Sequence, residues 1–174
     1  MRRLMAIMLL SAMLCGCRAQ ESYETMMDTP QQPEQAEKMV IMLNLPEEAA
    51  KQTMNTEENG SVYFCDDYVL TVQTREGGDL QKTVRETTGF LPEQLPLIET
   101  AQGNIKRYVC VWTAAGETGN QVGRMAILDD GTYHYVLTAM ADEASAGKLS
   151  EEVWDSVFGS FRVVATEDVV SSGS

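Results

Sequence analysis

Apolar residues fall along this chain in three registers, and each predicts a different kind of element. Positions 4–14 are an unbroken apolar run, interrupted only by Ser11. The middle of the chain alternates apolar and polar side chains, the period of a strand. Near the end, Val153, Trp154, Val157, Phe158 and Phe161 recur at three- and four-residue spacing, which makes one broad apolar stripe on a helix.

The alternating region predicts a succession of short strands. The first is 39–43, closed by Asn44-Leu45-Pro46, with 47–50 as a loop or single helical turn. A hairpin is expected over 52–56 and 61–65, with Asn59-Gly60 at its turn because both residues accept positive φ. Asp66-Asp67 makes a second turn into 68–74, rich in β-branched and aromatic residues. Gly77-Gly78 ends that strand. Asp79 then caps a short helix over 79–88 with Gly89 as its C′ residue.

After the proline-bounded connection 90–96, four strands follow in sequence: 97–100, 105–114, 121–128 and 132–140. Gln102-Gly103-Asn104, 116–119 and Asp130-Gly131 separate them. Along the second of these, Tyr108, Cys110, Trp112 and Ala114 share one face, and Arg107, Val109, Val111 and Thr113 the other. In the last, Tyr133, Tyr135 and Leu137 oppose His134, Val136 and Thr138. Ser150 is the expected cap of the final helix, with Glu151 and Glu152 favourable at its positive end. Residues 162–165 close as a last short strand. The sum is an α+β domain, a mostly antiparallel β-sheet with helices packed on it.

The apolar run 4–14 is too short to span a bilayer, which needs roughly 20 residues, and suits the core of a signal peptide. It follows Arg2-Arg3 and ends in Leu14-Cys15-Gly16-Cys17. That stretch resembles the lipobox of bacterial lipoproteins: an aliphatic residue, a small one, Gly, then Cys. The resemblance implies cleavage between Gly16 and Cys17 and a diacylglyceryl group on the Cys17 thiol. Cys15 stands where Ala or Ser is commoner, and is small enough to fit. Residues 1–16 are then the signal peptide. Residues 17–37 are the lipidated cysteine and an acidic tether with Pro30 and Pro33, 38–165 a single domain, and 166–174 a flexible tail. A coil of the tether's length spans roughly 25 Å, so the domain would sit outside the cytoplasm, just clear of the membrane.

Charge narrows the partners. The 174 residues carry 26 acidic against 13 basic side chains, a net charge of −13. Nucleic acid and anionic lipid surfaces are poor partners for such a chain. Cys65 and Cys110 are the thiols left in the domain. They are a candidate disulfide pair in an exported protein or two small buried hydrophobes.

No motif names a reaction. His134 is the only histidine, too few for the common zinc sites, and it lies in an alternating strand. Asp66-Asp67 and Asp129-Asp130 lack the spacing of a calcium loop and adjoin turns, where Asp supports the backbone. Gly77-Gly78-Asp79 lacks the Lys-Ser/Thr of a phosphate loop. Tyr108, Trp112, Tyr133, Tyr135 and Trp154 either line a groove or fill the core.

The element order, with the strand Tyr133-His134-Tyr135-Val136-Leu137-Thr138 leading to a helix that ends in Val157-Phe158-Gly159-Ser160-Phe161, resembles the PsbP-like α/β/α sandwich, named for an extrinsic subunit of photosystem II. Leu43-Asn44-Leu45-Pro46 is similar to the family's first strand. The resemblance covers about 38–165 and implies a non-enzymatic domain, several members being lipoproteins and others adaptors or assembly subunits. It implies no cofactor and no particular binding residue. The expected function is a membrane-anchored, extracytoplasmic, non-enzymatic binding or assembly module whose partner the sequence does not name, an envelope protein being one candidate. The alternatives are a solute-capturing lipoprotein of a transport system or, further off, a hydrolase built on an acidic pair.

Overall fold

The computed structural model describes residues 37–52, 60–117, 119–147 and 151–167. Its elements run β1 (Val40–Met42), β2 (Ala50–Gln52), β3 (Gly60–Phe64), β4 (Val69–Glu76), α1 (Leu80–Thr88), a 3-10 turn (Pro92–Gln94), β5 (Ile98–Gln102), β6 (Ile105–Ala115), β7 (Asn120–Asp129), β8 (Tyr133–Asp142), α2 (Glu143–Ala146), α3 (Glu151–Ser160) and β9 (Arg162–Val164).

Seven strands form one sheet in the order β2-β3-β4-β8-β7-β6-β5, and β1 pairs with β9 in a separate ribbon. Every pairing is antiparallel. The protein is therefore α+β, as the alternation and the tight turns require. Two meanders, β2–β4 and β5–β8, are joined by α1, and β8 closes the sheet against β4. The short connections within each meander leave no room for parallel crossovers.

The sheet is covered on both faces, which gives three layers. On one face Val157 and Phe158 of α3 and Phe161 just after it pack on Leu70, Val72, Leu128, Tyr133, Tyr135 and Leu137, with Ile41 and Val163 of the ribbon alongside. On the other, Val84 of α1 packs on Tyr108, Cys110, Trp112, Met125, Ile127 and Val136. Each large side chain buried this way contributes about 1.5–3 kcal/mol. β8 lies in the middle, and its residues from Tyr133 to Ala139 are all buried.

Local chemistry sets the ends of α1. Asp79 accepts a 2.9 Å hydrogen bond from the Lys82 N–H, and Gly89 closes the helix at φ 81°, a conformation that favours glycine. The hairpin turns at Gly103 (φ 61°) and Gly131 (φ 92°) lie where the sequence puts them.

Gly60 is the first residue of β3, paired with Gln73. Its partner arm is β2, described at Ala50–Gln52; residues 53–59, which hold the rest of the expected arm and the start of the turn, lie outside the described residues. Asn59 lies outside the described residues, as do Ser150, Cys17 with its preceding run, and residues 18–36 of the tether.

Candidate functional site

A cleft of about 610 Å3 lies between the β5–β6 hairpin and the end of α3 with β9. Its floor is apolar: Ile105, Leu128, Phe161 and Val163. Its polar groups are Thr100 and Gln102 on one side and the guanidiniums of Arg107 and Arg162. No acidic residue lines it among the described residues.

Register explains how the site forms. Arg107 stands opposite Thr100 on β5 and Leu128 on β7, so the three side chains share the face that α3 covers further along. At the sheet's edge the helix ends, and the long Arg107 side chain reaches across to it. Nη2 donates to the Phe158 carbonyl at 2.6 Å and Nη1 to the Phe161 carbonyl at 3.4 Å. These carbonyls have no partner within the helix, and a cation beside them also suits the negative end of the dipole. The chain then turns into β9, whose Arg162 also lines the cleft, and Nη1 of that side chain reaches the Ser160 carbonyl at 3.4 Å.

A third arginine neighbours the cleft. The Arg124 guanidinium lies 4.6 Å from the Phe158 ring centre and 5.8 Å from that of Trp154, a cation–π arrangement. Its Nε is buried without a hydrogen-bond partner among the described residues. Burial, and then the charge of Arg124, lowers the Arg107 pKa from its usual value.

The residues singled out from sequence have other roles. His134 is 1% exposed and shares a 2.7 Å hydrogen bond through Nδ1 with Thr83 Oγ1 of α1. Its Nε2 is 3.9 Å from Asp129. Burial lowers its pKa, against the opposing pull of Asp129, Asp130 and Asp79. It is a neutral strut between sheet and helix.

Asp129 accepts from the Gly131 N–H. Asp130 accepts from the N–H groups of Thr132 and Tyr133 and from the Tyr135 hydroxyl. The pair thus builds the β7–β8 turn. Asp66 and Asp67 lie in the turn closed by the hydrogen bond from Cys65 N–H to the Tyr68 carbonyl. Tyr135 in turn accepts from the Met39 N–H, and burial pushes its phenol up to about 12.

Tyr108, Trp112, Tyr133 and Tyr135 are core, not groove lining, and Trp154 packs between Tyr68 and Phe158. Gly78 (φ 89°) and the Asp79 cap account for the Gly-Gly-Asp stretch.

The candidate disulfide is corrected: Cys65 and Cys110 are both free. Cys65 packs against the α3 side of the sheet and Cys110 lies within the α1 side. With β8 and β7 between β4 and β6 as well, the sheet itself keeps the two thiols apart.

Sequence reasoning did not single out Arg107, Arg162 or the cleft. The available signal was an arginine inside an apolar alternating strand, and a second one directly after the helix stripe, in a chain short of basic residues.

No family model and no curated protein matches the chain. Among solved structures it is similar to a Bacteroides thetaiotaomicron VPI-5482 protein (TM-score 0.49, 9% identity), over 73% of this chain and 46% of that one. It thus spans less than half of that structure's length. It is also similar to LpqN, involved in cell envelope biogenesis of Mycobacterium tuberculosis (TM-score 0.48, 11% identity), over 73% of this chain and 84% of that one. Neither likeness is close enough to say anything of this chain's ligand or role.

Proposed function

We propose that this chain is an extracytoplasmic lipoprotein, held to the membrane through Cys17, whose PsbP-like domain is a non-enzymatic binding or assembly module that needs no cofactor. The observation that carries this reading is the arginine-lined cleft. It is a concave site on strands and a helix end, with groups suited to holding a ligand. Arginine keeps its proton under all ordinary conditions and serves poorly as an acid or base. The chain's one histidine is absent from the lining and buried under α1. The anchor reading rests on Leu14-Cys15-Gly16-Cys17 and the run before it.

Solute capture for a transporter is the second reading. It is favoured by the cleft's volume, which lies within the roughly 300–1,000 Å3 of small-molecule sites.

The test is purification of the mature protein from membranes after crosslinking, followed by native mass spectrometry. A stoichiometric protein companion supports assembly, and a small molecule supports capture. A protein that emerges alone contradicts both. The anchor is tested separately by fatty-acid labelling, which the Cys17→Ala variant should lose.

A further inference from the structure

We propose that the cleft between the β5–β6 hairpin and the end of α3 binds a small anion carried on an apolar body, a carboxylate or a phosphate ester, through Arg107 and Arg162. This deepens the binding-module reading and rests on it.

Charge pairing sets this cleft apart. Elsewhere on the domain, basic side chains near carboxylates pair with them: Arg75 with Glu86 at 2.7 Å and Lys106 with Glu99 at 3.8 Å. Arg107, Arg124 and Arg162 make no ion pair among the described residues. In a chain of net charge −13, a face with three cations and no paired acid is a local reversal. A half-buried cation without a counter-charge is unfavourable, and an anion entering the cleft supplies one.

Geometry suits an anion as well. A guanidinium has five N–H donors in a planar fork, matched to the two or three oxygens of a carboxylate or phosphate. Arg107 directs one bond at each of two carbonyls, which fixes the group and leaves further donors. Arg162 lines the same cleft from β9, so an anion there would have donors from two guanidiniums.

The apolar lining selects the rest of the ligand. Ile105, Leu128, Phe161 and Val163 line the cleft beside the cations. A bare inorganic ion would leave that apolar surface wet, so the ligand carries an apolar part. The net negative charge of the chain does not forbid this. Charge beyond about 8 Å is largely screened at physiological ionic strength, so the nearest cations decide for a small ligand, whereas a polyanion meets the whole surface.

The experiment uses the mature lipidated protein in nanodiscs of zwitterionic lipid, which carries no net charge, titrated by calorimetry and by protein-observed NMR. The probes are 4-phenylbutyrate, phenyl phosphate, and 4-phenylbutanamide as the uncharged control. At least one anion should bind, and whichever binds tighter identifies the headgroup. The amide should bind roughly tenfold more weakly, as should the preferred anion to Arg162→Gln, since a charge-assisted contact is lost in each. Arg162→Lys should recover part of the loss. Arg162 is exposed, so its variants test binding without the folding risk of Arg107→Gln.

Equal binding of acid and amide overturns the proposal. So does unchanged affinity in Arg162→Gln, or no binding of either anion by about 10 mM, roughly tenfold weaker than a 1 mM ligand. If a native companion crosslinks outside the cleft while the probes fail, the binding-module reading stands and this inference falls.

Discussion

Arg107 Nη2 lies 2.6 Å from the Phe158 carbonyl oxygen, so a side chain of the sheet's penultimate strand holds the last turn of α3. The contact has two consequences, one for stability and one for the wall of the cleft. Arg107→Ala leaves two helix-end carbonyls without their donor. The cost should be about 1.5–3 kcal/mol, the range for hydrogen bonds to charged groups. Urea unfolding of the two proteins measures it, and an unchanged midpoint would show that the contact is idle.

Gly123 faces Trp112 across β6 and β7. A Cβ there would run into the indole ring and come within 2.8 Å of Met140 Sδ. Gly123→Ala should therefore destabilise by about 1–3 kcal/mol through overpacking. Gly159 is the matched control: it is exposed in α3, with nothing within 4 Å of an added Cβ. Gly159→Ala should gain about 0.5–1 kcal/mol from helix propensity. Thermal melts of the pair should move in opposite directions.

His134 makes stability depend on acidity. Its folded pKa is lowered by burial, so between that value and the unfolded value near 6.5 the unfolded chain binds more protons. Stability should be complete above about pH 6.5 and fall as pH drops through the folded pKa. Denaturant titrations across this window should show the loss, and His134→Gln should flatten it whatever its effect at neutral pH. A slope unchanged in the variant would assign the titration elsewhere.

The two domain thiols should differ from the start. Burial pushes Cys110 up to about 11 and raises Cys65 as well, and thiolate is the reactive form. Under native conditions iodoacetamide should label Cys65 slowly and spare Cys110, while in urea both should react. An unreduced mass two hydrogens lighter than the dithiol would contradict the free pair.

The order of strands and helices was legible because hydrophobic period and turn chemistry agree over most of the chain. Asp79 and Gly89 mark both ends of α1, and Tyr108 and Trp112 alternate as a core face must. The β2–β3 hairpin was legible as a pair of arms, with Gly60 opening β3 opposite Gln73, while the turn between them lies outside the described residues. The cleft was not legible. Arg107 and Arg162 are 55 positions apart in numbering, and only the register of β6 and the end of α3 bring them to one concavity. The thiols show the same limit from the other side. Parity places Cys110 on a face, but which helix covers that face is a property of the assembled sheet.

The most direct test of a binding module centred on this cleft is native mass spectrometry of the mature protein drawn from membranes, wild type beside Arg162→Gln. The account predicts a companion bound to the wild type in stoichiometric amount and largely lost from the variant. A companion retained equally by both, or a wild type that carries none, would contradict it.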